Sequence, residues 1–212
     1  MSKLIDYKID KQLLLFLTFG FIAATVIGTV THECGHYLAA KSVGYDAAIN
    51  YGATRIVNSA NKIITSDRDA FLFTLGGPLQ TILTGTIGFI LLFLFRKSYQ
   101  SAQRLSFGQW TLIFISLFWL RQTANFVAGN ILYLVRVEFT GRSDEIKLSR
   151  WLHLPDYSIS SVTALIGALV LAAVLFEFIP TAQRFTFILS GIIGGTLGYF
   201  LWLEWFGKII MP

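Results

Sequence analysis

Thr31-His32-Glu33-Cys34-Gly35-His36 joins residue types and a spacing that suit metal chemistry. His32 and His36 stand four residues apart, so on a helix they share a face and their imidazoles can close on a single ion. Two neutral imidazoles fill two corners of a tetrahedral zinc site, and a catalytic zinc takes a third protein ligand while leaving one position open to water. Such a metal brings the pKa of its water near neutrality, and an adjacent carboxylate can accept the proton and return it to a leaving amine. Glu33 stands in the place for that transfer. With three histidines and five glutamates in 212 residues, chance produces this pattern in about one such chain in a thousand. The bland alternative is two histidines satisfied by hydrogen bonds between helices, with Glu33 paired to a base. It gives no reason for three ionisable groups to cluster in an apolar stretch. Cys34 points to another side of the helix and suits a small packing role.

The elements that must position this run belong in a membrane. Apolar residues make up 54% of the chain and charged ones only 14%, against roughly a quarter charged in an ordinary soluble domain. Five apolar blocks, at 12–40, 70–95, 110–137, 159–179 and 185–206, each come near or above the roughly 20 residues that cross a bilayer. The expected fold is an all-α polytopic membrane protein of about five transmembrane helices. Residues 1–212 form a single membrane-embedded domain, with a three-helix core over 12–158 and two further helices over 159–212. The polar tail before the first block is expected to stay in the mature protein, because that block is longer than a signal peptide's apolar core and carries the metal motif.

Between the first two blocks, 45–57 suits two short strands around a turn at Gly52, a small β-hairpin. In the connection 138–158, Leu148, Trp151 and Leu152 fall at helical spacing and Ser143 suits an N-cap. The last block carries two small-xxx-small pairs, Gly191 with Gly195 and Gly194 with Gly198, suited to close helix contact. Tyr199, Trp202, Trp205 and Phe206 fit an aromatic belt at the membrane surface. The net charge of +5 is scattered between blocks with no basic stripe, which suits lipid headgroups and excludes a nucleic-acid footprint. A single cysteine excludes an internal disulfide. Lysines and arginines divide evenly between the two sides, so positive-inside bias selects no orientation.

The residues alone leave the third metal ligand open among Asp144, Glu145, His153, Glu177 and Glu204. Asp67 and Asp69 suit capping of the second helix instead. The sequence resembles the site-2 protease family of intramembrane zinc metalloproteases in three places. These are His32-Glu33-Cys34-Gly35-His36-Tyr37-Leu38-Ala39-Ala40 in a membrane segment, Gly76-Gly77-Pro78-Leu79 early in the next block, and Ser143-Asp144. That resemblance implies Zn2+ held by His32, His36 and Asp144, with Glu33 as general base. It implies hydrolysis of a peptide bond in or near a transmembrane segment of a membrane-protein substrate, within the lipid bilayer of a bacterial cell membrane. The chain departs from the family's pattern in three ways. Glu145 follows the aspartate where glycine is usual, Asn130 lies fourteen residues before Asp144 with no proline between, and Gln80 or Thr81 replaces an asparagine after Gly-Pro.

Threading supports convergence of these pieces. The first block ends, the second begins and the third ends on one side of the membrane, with His32 and His36 roughly 7–13 Å inside it. Asp144 then requires the third helix to end early or the segment before it to fold back. Arg121, mid-way along the third block with Gln122 and Asn125, has two readings. It marks a helix break or pairs with Glu177 or Glu204, or else it lines a water cavity or anchors a substrate carbonyl. An exposed edge of the hairpin could receive an unwound substrate as an added strand. Two other functions compete: a membrane metalloprotease completed by Glu177 or Glu204, and a non-proteolytic relative that keeps a structural zinc site for binding or assembly.

Overall fold

Asp10 starts the first helix: its carboxylate accepts the N–H groups of Gln12 and Leu13, two of the donors a helix start leaves open. The computed structural model describes residues 4–57, 64, 66–134 and 143–212. The protein is an all-α polytopic membrane protein, with spans at Lys11–Ser42, Asp67–Leu94, Phe107–Ile131, Ser158–Phe178 and Thr181–Ile210 long and apolar enough to cross a bilayer. Helix α1 (Lys11–Ser42) ends at a turn in which Gly44 takes a φ of +83°, a conformation open to glycine. The chain then enters the expected hairpin, β1 (Ala47–Ile49) antiparallel to β2 (Thr54–Ile56), with Ala48 opposite Arg55. The side-chain oxygen of Asn50 closes its turn by accepting from the N–H groups of Gly52 and Ala53.

Helix α2 (Asp67–Leu94) is capped by Ser66, not by Asp67 or Asp69. Those two aspartates lie in its first turn, where the helix dipole favours them, and Asp69 accepts from the Tyr45 hydroxyl. A short α3 (Arg96–Gln100) leads to the third span, which is not one continuous α-helix. It runs as α4 (Phe107–Ser116), a 3-10 turn at Leu117–Trp119, and α5 (Leu120–Leu134). The tightened turn is wedged between glycines of two neighbours. A Cβ at Gly88 would fall 2.5 Å from the Ser116 nitrogen, and one at Gly167 would fall 2.6 Å from the Trp119 carbonyl oxygen. The end of the third apolar block, with Gly141 and Arg142, lies outside the described residues.

Ser143 caps α6 (Asp144–Trp151), as its sequence suggests, by accepting from the Ile146 N–H. Helix α7 (Ser158–Ala173) closes in a π-turn at Val174–Phe178, and Arg184 donates to the carbonyls of Phe176 and Ile179 at that end. Helix α8 (Thr181–Tyr199) continues through a π-turn at Phe200–Phe206 into α9 (Gly207–Ile210).

Helix α1 lies between α2 and α8, while α5 packs on α7 and α6 reaches both α2 and α7. Gly194 and Gly198 let α8 close on Thr18 and Thr25 of α1, whereas Gly195 of the other small-residue pair faces open space. The resulting bundle has two unlike ends. One is an apolar core of Leu17, Leu92, Trp110, Ile113, Phe178 and Phe187, with Gln183, Thr186 and Ser190 buried alongside. At the other end the polar groups His32, Glu33, His36, Thr81, Gln122 and Glu145 are buried. Leu15, Phe19, Leu94, Leu165 and Ile192 point outward, as lipid requires.

Candidate metal centre

Two glycines bring α1 and α2 together at the depth of the histidines. A Cβ on Gly35 would fall 2.4 Å from the Gly76 carbonyl oxygen, and one on Gly76 would fall 2.4 Å from that of Gly35, so the helices cross backbone to backbone. The next residue, Gly77, faces the imidazoles themselves. A Cβ there would fall 2.3 Å from Nε2 of His36 and 2.6 Å from Nε2 of His32. Helix α2 continues through Pro78, which offers no N–H to the carbonyl four residues before it.

The histidine rings are fixed through their other nitrogens. Nδ1 of His36 donates to the Phe73 carbonyl at 2.7 Å. Nδ1 of His32 donates to the Thr81 hydroxyl at 2.9 Å, and that hydroxyl donates onward to the Gly77 carbonyl at 3.1 Å. These partners assign the proton of each neutral ring to Nδ1, so both Nε2 atoms present lone pairs. Such outer partners set the tautomer and direction of metal-binding imidazoles.

Asp144, at the start of α6, brings a third lone pair. Its Oδ2 lies 3.1 Å from Nε2 of His36 and 3.4 Å from Nε2 of His32, while the two Nε2 atoms are 3.3 Å apart. A tetrahedron with ligand bonds of 2.0–2.1 Å has edges of about 3.3–3.4 Å, so one face of such a polyhedron is already laid out. Three lone pairs converging at this distance are relieved by a cation. Among the described residues, His32, His36 and Asp144 are the one group of three metal-ligating side chains so placed. Burial acts to raise the Asp144 carboxyl, and the nearby Lys147 charge acts to lower it. Its second oxygen meets Lys147 Nζ at 3.3 Å.

Glu33 is buried beside the group without belonging to it. Its carboxylate accepts from the Thr54 hydroxyl of β2 at 3.0 Å. The rival ligands lie elsewhere. Glu177 pairs with Arg96 at 2.5 Å and Glu204 with Lys208 at 2.7 Å. His153 stands past the end of α6 at a φ of 54°. Cys34 is outside the group. Glu145 turns toward a cavity, and burial pushes its carboxyl up.

Because Glu177 and Glu204 are paired elsewhere, neither is the partner of Arg121. Its Nη1 reaches Thr29 at 3.5 Å and its charge acts on Glu33, Glu145 and Asp144, while the 3-10 turn ends two residues before it. Gln122, Asn125, Asn130, Ser143, Glu145 and Ser160 line a cavity of about 40 Å³. That space admits roughly three water molecules. Gln122 is buried and its Nε2 has no hydrogen-bond partner among the described residues.

Sequence reasoning placed His32, Glu33, His36 and Asp144, and named Thr81 only as a departure from a pattern. It missed the Gly77 cradle, the role of Thr54 and the place of Trp202. Trp202 is no part of an aromatic belt: it is 6% exposed and its indole N–H donates to the Tyr51 carbonyl at 2.7 Å, because the π-turn carries it inward. No protein-family model, curated protein or solved structure matches this chain.

Proposed function

We propose that this chain is a zinc-dependent intramembrane endopeptidase of the site-2 protease type, hydrolysing a peptide bond in or near a transmembrane segment of another membrane protein. The observation that carries the reading is the set of three lone pairs of His32, His36 and Asp144 at tetrahedral separations, with the Glu33 carboxylate buried beside them. Two imidazole nitrogens and one carboxylate oxygen suit zinc and leave its fourth position open, as in hydrolytic rather than structural sites. When bound, zinc would supply Lewis-acid chemistry, easing deprotonation of a water and polarising the scissile carbonyl.

The chain's own groups do the rest. Glu33 accepts a proton from the attacking water and delivers it to the leaving nitrogen, so one carboxylate serves as base and then as acid. Thr81 and the Phe73 carbonyl keep both imidazoles aimed at one point. Asp144 offers its Oδ2 with Lys147 beside its other oxygen, and Gly77 keeps the space between the rings clear. The cavity lined by Gln122, Asn125 and Glu145, the neighbour of Asp144, offers room for the water that hydrolysis within a bilayer demands.

The test uses purified protein in detergent and a quenched-fluorescent peptide of about 20 apolar residues, interrupted by glycine and proline. Wild type should cleave it with one zinc bound. Glu33→Gln should keep the zinc and lose about 10²- to 10⁴-fold in rate. A retained rate would remove Glu33 from the chemistry. Stoichiometric zinc with no turnover of this peptide or of a panel of single-span proteins would leave a structural site instead.

A further inference from the structure

We infer that the Thr54 hydroxyl is a positioning residue for Glu33, and that the end of the last span holds it there through the hairpin. The inference rests on the proton-transfer role proposed for Glu33. Thr54 Oγ1 lies 3.0 Å from Glu33 Oε2 and 2.9 Å from the Glu33 backbone carbonyl. A hydroxyl carries one proton, so these two acceptors of the same residue share it. The hydroxyl therefore ties the Glu33 side chain to the Glu33 backbone. Oε2 is engaged, and Oε1, which has no hydrogen-bond partner among the described residues, is left to accept a proton. For a carboxylate that must move a proton over hydrogen-bond distance, a displacement near 1 Å costs about a hundredfold in rate.

Thr54 belongs to a strand of three residues, and an isolated two-stranded hairpin is at best marginally stable in water. Something must hold it, and the hold is three residues away. Both backbone polar groups of Tyr51, in the hairpin turn, are taken by the C-terminal segment. Its N–H donates to the Met211 carbonyl at 2.9 Å, and its carbonyl accepts from the Trp202 indole at 2.7 Å. Gly207 permits the approach, since a Cβ there would fall 2.8 Å from Tyr51 Cβ and 2.3 Å from the Trp202 carbonyl oxygen. The hairpin is thus strung between α1 at Thr54 and the last span at Tyr51. A span with no metal ligand on it helps to orient the proton-transfer group.

The experiment compares Thr54→Val, which keeps the branched shape and removes the hydroxyl, with Thr54→Ser, which restores it. Zinc content, kcat and KM on the quenched-fluorescent transmembrane peptide are measured. So is the infrared band of the Glu33 carboxylate in metal-free protein, identified by its loss in Glu33→Gln. Thr54→Val is expected to keep zinc and KM, lose at least about tenfold in kcat and shift the Glu33 band, as loss of one charge-assisted hydrogen bond implies. Thr54→Ser returns both. Trp202→Phe, which removes the donor to Tyr51, moves both in the same direction by less. An unshifted band, an unchanged kcat, or a rise in KM alone overturns the inference. Where Thr54→Val fails to fold, Trp202→Phe decides: an unshifted band there overturns it as well. A wild-type protein that hydrolyses nothing, with a band that still moves in Thr54→Val, removes the proteolytic reading and leaves the Thr54–Glu33 contact standing.

Discussion

Gly77 separates helix propensity from metal chemistry. Alanine in the interior of a helix is ordinarily better than glycine by about 0.5–1 kcal/mol. At this position its Cβ would fall 2.3 Å from one Nε2 and 2.6 Å from the other, pushing the rings apart. Gly77→Ala should therefore lose metal, measured as zinc per protein, while the helical circular dichroism spectrum is kept. Retained zinc would show that the rings can yield elsewhere. The contrast with His32, Glu33 and His36 explains what the sequence could disclose. Their i, i+1, i+4 spacing is local, so helix geometry alone places them together. Gly77, Thr81 and Thr54 act across helix–helix or helix–strand contacts, and no local period records which side chain waits on the other side. Asp144 lies more than a hundred residues from the histidines, and it took the chemistry of an oxygen ligand, the threading and a resemblance to a family pattern to single it out.

At the scale of elements, the spans and the hairpin were legible because apolar length and turn residues are properties of short windows. The break in the third span was legible only as one reading of Arg121, not as a place for the tightened turn. Leu117, Phe118 and Trp119 are ordinary helix residues, and the 3-10 turn lies where Ser116 and Trp119 press on glycines of α2 and α7. Trp202 misled for a related reason: composition cannot tell an outward tryptophan from one that a π-turn carries inward. The start of α1 offers a measurable case. Asp10 accepts from Gln12 and Leu13 and pairs with Arg104. The Leu13 N–H, with Arg104 beside it, holds the Asp10 carboxyl below its ordinary value against the effect of burial. A group depressed on folding contributes stability above its unfolded pKa of about 4 and loses it as pH falls through the lower folded value. Asp10→Ala should cost about 1 kcal/mol at neutral pH, and the difference from wild type should shrink in acid. Asp10→Asn should keep the cap without the acid dependence. Denaturant unfolding at several pH values checks both.

Over the whole molecule, the candidate centre joins segments that the chain connects only distantly: the end of α1, the start of α2 through Phe73 and Thr81, and the start of α6. An ion that binds only the folded arrangement should stabilise all of it together, by about 4 kcal/mol at a thousand times its dissociation constant. A chelator should then lower the melting temperature of wild type and of His153→Ala alike, and leave Asp144→Ala unmoved. Chelator sensitivity that persists in Asp144→Ala and vanishes in His153→Ala would transfer the third ligand to His153. The bundle meets this demand by keeping its ionisable buried groups, His32, Glu33, His36 and Glu145, at the end away from the aromatic core.

The placement of that polar end also sets a ruler. His36 stands six residues before the end of α1, roughly 9 Å along the helix axis. For a protease, a centre fixed to a helix at that level reaches whatever bond of a neighbouring substrate lies equally far beneath the surface. Selection then works by immersion rather than by letter: residues added between a substrate's flanking charges and its cleavage point would move the cut along the chain and leave its depth in the bilayer unchanged.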